Sequence, residues 1–207
     1  MKKHKIFEAY LQETPIIAIL RGITLKEVHP VCDILLEAGI KLLEIPLNTP
    51  NALDCIRSAV EYCGQKQLIG AGTVLTPEDV VDVANAGGEF IISPNTFDKV
   101  IQQTVALDLI SIPGFMTASE GFSALRAGAD YLKLFPAGEL GTKYVKDLQA
   151  VIKAPLIAVG GVGAQNITDF LQVMHGAGIG SSLYKAEKSL ADIKQSAVDL
   201  LNHISKK

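Results

Sequence analysis

Little in this 207-residue chain marks it for the secreted, metal-binding, nucleic-acid-binding or membrane classes. Its three cysteines, Cys32, Cys55 and Cys63, form an odd, scattered set with no CxxC pair. A disulfide scaffold is therefore not expected, and a reducing, cytoplasmic setting fits better. The four histidines, His4, His29, His175 and His203, are equally dispersed. No run groups them with Asp or Glu at metal-ligand spacing, so neither a metal nor another cofactor is expected. Net charge is −3 and no stretch is rich in Lys or Arg, which argues against a nucleic-acid partner. The N-terminal MKKHK is basic, but no long apolar stretch follows it, so neither a signal peptide nor a membrane span is expected. Linkers, low-complexity tracts and long repeats are also missing. With 48% hydrophobic residues the chain suffices for one sizeable core and would be cramped as two, so a single domain over 1–207 is expected.

What the chain does contain is eight short apolar, β-branched runs. They are PIIAIL (15–20), KLLEIPL (41–47), QLIGAG (67–72), EFIISP (89–94), LISIPG (109–114), YLKLF (131–135), PLIAVG (155–160) and GAGIG (176–180). Helical periodicity lies between most of them. Val28, Cys32, Leu35 and Leu36 mark one helix that stops at Gly39, and Thr76-Pro77-Glu78-Asp79 carries the cap, first-turn proline and acids of a helix start. Residues 165–173 and 191–204 read as two more helices, and 4–12 as an extra N-terminal helix over the barrel floor. The strands are continuous rather than alternating apolar runs, so both faces are buried, as in a parallel sheet with right-handed crossovers. Eight roughly equal units leave no natural edge, which favours a single (β/α)8 TIM barrel over an open doubly wound sheet.

Functional groups of such a barrel gather at the C-terminal ends of the strands. Arg21, Thr73, Pro94-Asn95, Pro113-Gly114, Gly160-Gly161 and Gly180-Ser181 occupy those ends, and Glu44 and Lys133 lie within strands. By alternation Leu42, Glu44 and Pro46 share one face, and Tyr131, Lys133 and Phe135 share another. The opposite faces are aliphatic and suit the helices, so Glu44 and Lys133 should both point into the barrel. A lone buried charge costs several kcal/mol in practice. The two residues are therefore either a structural ion pair or a functional pair. A desolvated lysine becomes a free amine able to attack a ketone, and a nearby carboxyl can move the protons that imine chemistry requires.

The glycine turns after strands seven and eight let backbone N–H groups approach an anion, as in the usual phosphate cradle of this fold. There Ser181-Ser182 would cap a short helix and donate a hydroxyl. Arg21 suits a carboxylate or phosphate, with a surface salt bridge as the alternative. Thr73 is either a substrate contact or a cap for the helix that follows.

IAILRG (17–22), LEIPLNTP (43–50), GAGTVL (70–75), ISPN (92–95), PGFMTASE (113–120), LKLFPA (132–137), AVGGV (158–162) and GSSLYKA (180–186) together resemble the KDPG/KDPGal aldolase family. These are the 2-dehydro-3-deoxy-6-phospho-gluconate and -galactonate aldolases. The resemblance runs in register over nearly the whole chain. It implies a homotrimer of (β/α)8 barrels that needs no metal, with Lys133 as Schiff-base lysine and Glu44 as proton carrier. Pro94 falls on the proline that orients the glutamate, Arg21 and Thr73 on substrate-binding positions, and Gly161, Gly180 and Ser181 on the phosphate site beside Gly160. The gluconate branch carries Arg at Asn48 and Thr at Val159. EIPLNTP and AVGGV are instead similar to the galactonate branch, which makes Asn48 and Val159 the implied specificity positions. AGELGTKYV (137–145) reads as a variable loop with no site residue.

The expected activity is cleavage of a phosphorylated 2-keto-3-deoxy sugar acid to pyruvate and glyceraldehyde 3-phosphate. A metal-free sugar-phosphate isomerase with Glu44 as base, and a noncatalytic phosphate-binding barrel, remain as alternatives. The latter has no need of a buried Lys133.

Overall fold

The computed structural model describes residues 2–204, so Met1 and the last three residues of the expected 1–207 domain lie outside the described residues. Each apolar run becomes a strand buried along its whole length. These are β1 (Ile16–Ile19), β2 (Leu42–Pro46), β3 (Leu68–Gly72), β4 (Phe90–Ile92), β5 (Ile110–Ile112), β6 (Gly114–Phe115), β7 (Leu132–Leu134), β8 (Leu156–Val159) and β9 (Gly176–Ile179). The helices are α1 (Lys2–Glu13), α2 (Leu25–Glu37), α3 (Ala52–Cys63), α4 (Pro77–Asn85), α5 (Asp98–Ala106), α6 (Ala118–Ala127), α7 (Ala137–Gln149), α8 (Ile167–Leu171) and α9 (Leu190–Ile204). All neighbouring strands are parallel, in the order β5-β4-β3-β2-β1-β9-β8-β7-β6.

The two ends of that order are halves of one strand. Proline has no N–H to donate, so the ladder splits at Pro113. β5 pairs with β4 and β6 with β7, while the Pro113 carbonyl accepts from the Lys133 N–H at 2.9 Å. The sheet thus closes into an eight-strand barrel, and the open doubly wound alternative is excluded.

Two cores follow from strand alternation. Outward-facing residues such as Leu43, Ile45, Leu132 and Leu134 pack under the helices. Inward-facing Ile17, Leu42, Phe90, Ile110 and Ile157 fill the barrel together with Phe7 and Leu11 of α1. α1 therefore closes the floor, as the extra helix at 4–12 implies. The Phe7 ring meets Phe90 edge-on at 5.5 Å and Tyr131 at 5.1 Å between centroids. Full burial of such a side chain contributes roughly 1.5–3 kcal/mol.

The start of α4 is built as the sequence predicts. The Asp79 N–H donates to Thr76 Oγ1 at 3.1 Å and the Thr76 N–H to Asp79 Oδ2 at 3.0 Å. Two expectations need correction. Residues 137–145 are not a loop but most of α7, broken at Gly141, whose φ of 73° departs from the helix. No helix starts at Ser181-Ser182 either. The N–H groups of Leu183 and Tyr184 both return to the Gly180 carbonyl at 2.9 Å, a single turn, and helix resumes only at Leu190. The carbonyls of Ser182 and Leu183, which a helix would use, are taken by the Lys188 side chain. No helix among the described residues is long and apolar enough to cross a membrane.

Candidate active site

The inward parity expected for Glu44 and Lys133 holds. Glu44 is 2% exposed and Lys133 7%. Glu44 sits beside Gly70 in the β2–β3 register and Lys133 beside Gly114 in the β6–β7 register, both near the C-terminal end of the barrel. Room for the carboxyl comes from Gly72, where a Cβ would overlap Glu44 Oε1. Glu44 Oε2 is buried without a hydrogen-bond partner among protein groups. Lys133 Nζ lies 5.1 Å from the centre of the Phe135 ring.

No ion pair joins Glu44 to Lys133 among the described residues, although each feels the other's charge. Burial pushes the Glu44 carboxyl up from its ordinary range, and the charges of Lys133 and Arg21 only partly oppose it. Burial draws the Lys133 amine down from its ordinary value; the Glu44 charge opposes this and Arg21 reinforces it. Burial thus works against the charged form of both groups, and no contact between the two charges offsets it. A structural salt bridge would instead bring the two charges into contact.

A cavity of about 530 Å³ opens at the same end of the barrel, lined by Phe135 but not by Glu44 or Lys133 themselves. It brings together six of the expected residues: Arg21, Val159, Gly160, Gly161, Gly180 and Ser181. Arg21 is exposed there and has no salt bridge among the described residues, so the surface ion-pair alternative falls away. Phe135 connects the two regions, for its ring touches the Lys133 amine and also faces Gly160, where a Cβ would stand 3.0 Å from it.

The carbonyls of the two cradle loops are engaged away from one another's N–H groups. The Gly160 carbonyl accepts from the Gly138 N–H at 2.8 Å, that of Gly161 from Asn166 Nδ2 at 2.9 Å, and that of Val162 from Ser182 Oγ at 3.2 Å. Asn166 Oδ1 takes the Gly163 N–H at 2.9 Å. Among the described residues no hydrogen bond runs from the N–H of Gly161, Val162, Ser181 or Ser182 to another protein group. Gly160 and Gly161 hold φ values of 88° and 70°, open to glycine at little cost. The result is a set of unengaged donors around a cavity, the form of an anion nest.

Three expected residues lie on the same rim without lining the cavity. Thr73 follows β3 with φ 56°, and the cap of α4 is Thr76, so Thr73 has no capping role. A β-branched residue in the left-handed region is strained by about 1–3 kcal/mol. Pro94 is exposed at the end of β4, with its carbonyl close against Gly114. Asn48 is exposed on the β2–α3 loop. Residues that the sequence reading missed in the cavity include Phe135, Gln165, Lys185 and Glu187. A lysine four residues past a glycine turn has no distinctive pattern, and only the return of the chain after β9 shows that Lys185 reaches the site.

Known proteins share this architecture. The chain is 42% identical over 186 residues to 2-dehydro-3-deoxy-6-phosphogalactonate aldolase of Escherichia coli strain K12, covering 88% of this chain and 91% of that one. A structure described as native KDPGal superposes with a TM-score of 0.90 at 41% identity, over 92% of this chain and 94% of that one. KDPG aldolase from Legionella pneumophila, with pyruvate captured as a covalent carbinolamine, superposes with a TM-score of 0.83 at 27% identity, over 96% of both chains. The family model for KDPG and KHG aldolase matches residues 7–200, and the chain belongs to that family of carbon–carbon lyases.

Proposed function

We propose that the chain is a class I aldolase that cleaves 2-dehydro-3-deoxy-6-phosphogalactonate to pyruvate and D-glyceraldehyde 3-phosphate. The observation that carries this reading is the Lys133–Glu44 pair, both buried at the same end of the barrel and not in ionic contact. Similarity to the E. coli galactonate-branch enzyme, and Asn48 and Val159 in place of the Arg and Thr of the gluconate branch, favour the galacto epimer.

The neutral Lys133 amine adds to the C2 ketone, giving a carbinolamine. Glu44 donates a proton to the departing hydroxyl, water leaves and an iminium forms. Glu44, now a carboxylate, takes the C4 hydroxyl proton, directly or through a water. The C3–C4 bond breaks, its electrons pass into the iminium, and glyceraldehyde 3-phosphate departs. Glu44 returns the proton to C3 of the enamine, and hydrolysis frees pyruvate and the amine. Arg21 and Thr73 bind the substrate, Pro94 keeps the glutamate in place, and Gly160, Gly161, Gly180 and Ser181 receive the phosphate. The reaction draws on no metal or other cofactor. The working form is a cytoplasmic homotrimer of single-domain barrels.

Incubation with pyruvate and borohydride, followed by intact mass and peptide mapping, tests the reading. One reduced pyruvate per chain on Lys133 is the expected result. An adduct elsewhere, or none, overturns the mechanism.

A further inference from the structure

The turn after β9 is held from behind by a cation. Lys188 Nζ donates to the carbonyls of Ser182 and Leu183 at 2.9 and 3.2 Å, and to Ser196 Oγ of α9 at 2.8 Å. An ammonium has three donors, so this one is saturated by neutral acceptors. Among the described residues no carboxylate pairs with it. Lys185 of the same loop lines the cavity.

We propose that Lys188 is a positioning residue for the phosphate end of the substrate. It pins the turn so that the Ser181 and Ser182 N–H groups stay unengaged where they line the cavity, and it places behind them a positive charge with no carboxylate in contact. This rests on the phosphate-cradle reading of the same loops. Two further observations support it. Ser182 also braces the opposite loop, through Oγ to the Val162 carbonyl at 3.2 Å, so fixing Ser182 fixes both sides of the cradle. Burial and then the charge of Lys185 draw the Lys188 proton affinity below its ordinary value, with Asp192 opposing. Lys185 and Lys188 stand beside unengaged N–H donors, with Glu187 on the same cavity and Asp192 partly opposing Lys188, and an anion between them relieves the repulsion of the two lysines.

A brace with only a structural role would weaken turnover of every substrate alike. The proposal requires discrimination to change. Steady-state parameters are measured for the phosphorylated keto-deoxy acid and its unphosphorylated counterpart, in wild type, Lys188→Gln, Lys188→Arg and Ser196→Ala. Lys188→Gln is expected to raise KM for the phosphorylated substrate roughly 10-fold or more, the scale of a charged hydrogen bond, with kcat within about twofold. The unphosphorylated substrate should be little changed, and inorganic phosphate should become a weaker inhibitor. Lys188→Arg should restore much of the loss. Ser196→Ala, which keeps the charge and frees its anchor, should give a smaller change of the same kind and serves if Lys188→Gln does not fold. A wild type that does not favour the phosphorylated substrate removes the phosphate-cradle reading, and this inference with it. A wild type that favours it, with variants that favour it equally, overturns the role of Lys188 alone. Equal losses on both substrates make Lys188 a brace and nothing more.

Discussion

The Glu44 carboxyl occupies the space that a side chain at Gly72 would fill. The two residues sit on adjacent strands, where Gly72 is the register partner of Pro46, two residues beyond Glu44 on the same inward face. Gly72 has no left-handed backbone requirement, so its role is one of space alone. Gly72→Ala should keep the barrel, with an overpacking cost of about 1–3 kcal/mol. It should slow turnover by roughly 10²-fold by moving the proton carrier. Urea unfolding and kcat check both parts. Undiminished kcat would show that the carboxyl need not sit against position 72.

The pH dependence of adduct formation should report the coupling between Lys133 and Glu44. Only the neutral amine adds to a ketone, so the trapping rate should rise with pH and level off below the ordinary lysine value of 10.5. The Glu44 charge raises the proton affinity of Lys133, so Glu44→Gln should move the inflection to lower pH. At acid pH, where Glu44 is itself protonated, the two profiles should converge in position. The unfolded chain holds the Lys133 proton to higher pH than the native chain, so native stability rises with pH across that window. Lys133→Met should lose this slope. An inflection that stays put in Glu44→Gln would remove the carboxyl from the amine's surroundings.

Thr73 stores strain that its position does not need for capping. Thr73→Gly should relieve it and stabilise the protein by roughly 0.5–1 kcal/mol, less the added freedom of the unfolded chain. If the strain holds the hydroxyl for substrate, KM should rise severalfold in the same variant. Greater stability with unchanged KM would leave the strain without a binding role.

Val159 is 5% exposed, lines the cavity and packs on the inner face of the barrel. It can offer only shape to the C4 hydroxyl, where a threonine could offer a hydrogen bond. Wild type should prefer the galacto epimer or treat the two comparably, and Val159→Thr should shift kcat/KM toward the gluco epimer by the equivalent of about 1–3 kcal/mol. A coupled pyruvate assay on both epimers measures this. An unchanged ratio would take Val159 out of the specificity argument.

Strand identity and parity were readable because a parallel barrel strand is apolar on both faces, so a charge such as Lys133 or Glu44 stands out against it. The rim glycines were readable for the same reason. What could not be read was which rim residues share a cavity: Asn48 and Val159 both end or follow strands, but only Val159 lines it. Ser181-Ser182 resembles a helix cap by type, yet Lys188 and Gly180 claim the groups a helix would need. Asn166 and Lys188 act through backbone carbonyls, and a carbonyl leaves no mark on sequence pattern.

The floor helix has a kinetic consequence. With Phe7 wedged against Phe90 and Tyr131, the floor of the barrel is filled among the described residues, and the mouth lies at its C-terminal end. On the proposed mechanism a substrate tethered to Lys133, buried just inside that mouth, reaches outward to the cradle loops at the lip. After cleavage the half at the lip has an open exit, and the tethered half waits below it. On that mechanism departure is queued, aldehyde first and pyruvate last, and pyruvate should inhibit competitively with the keto-deoxy acid while the aldehyde phosphate should not.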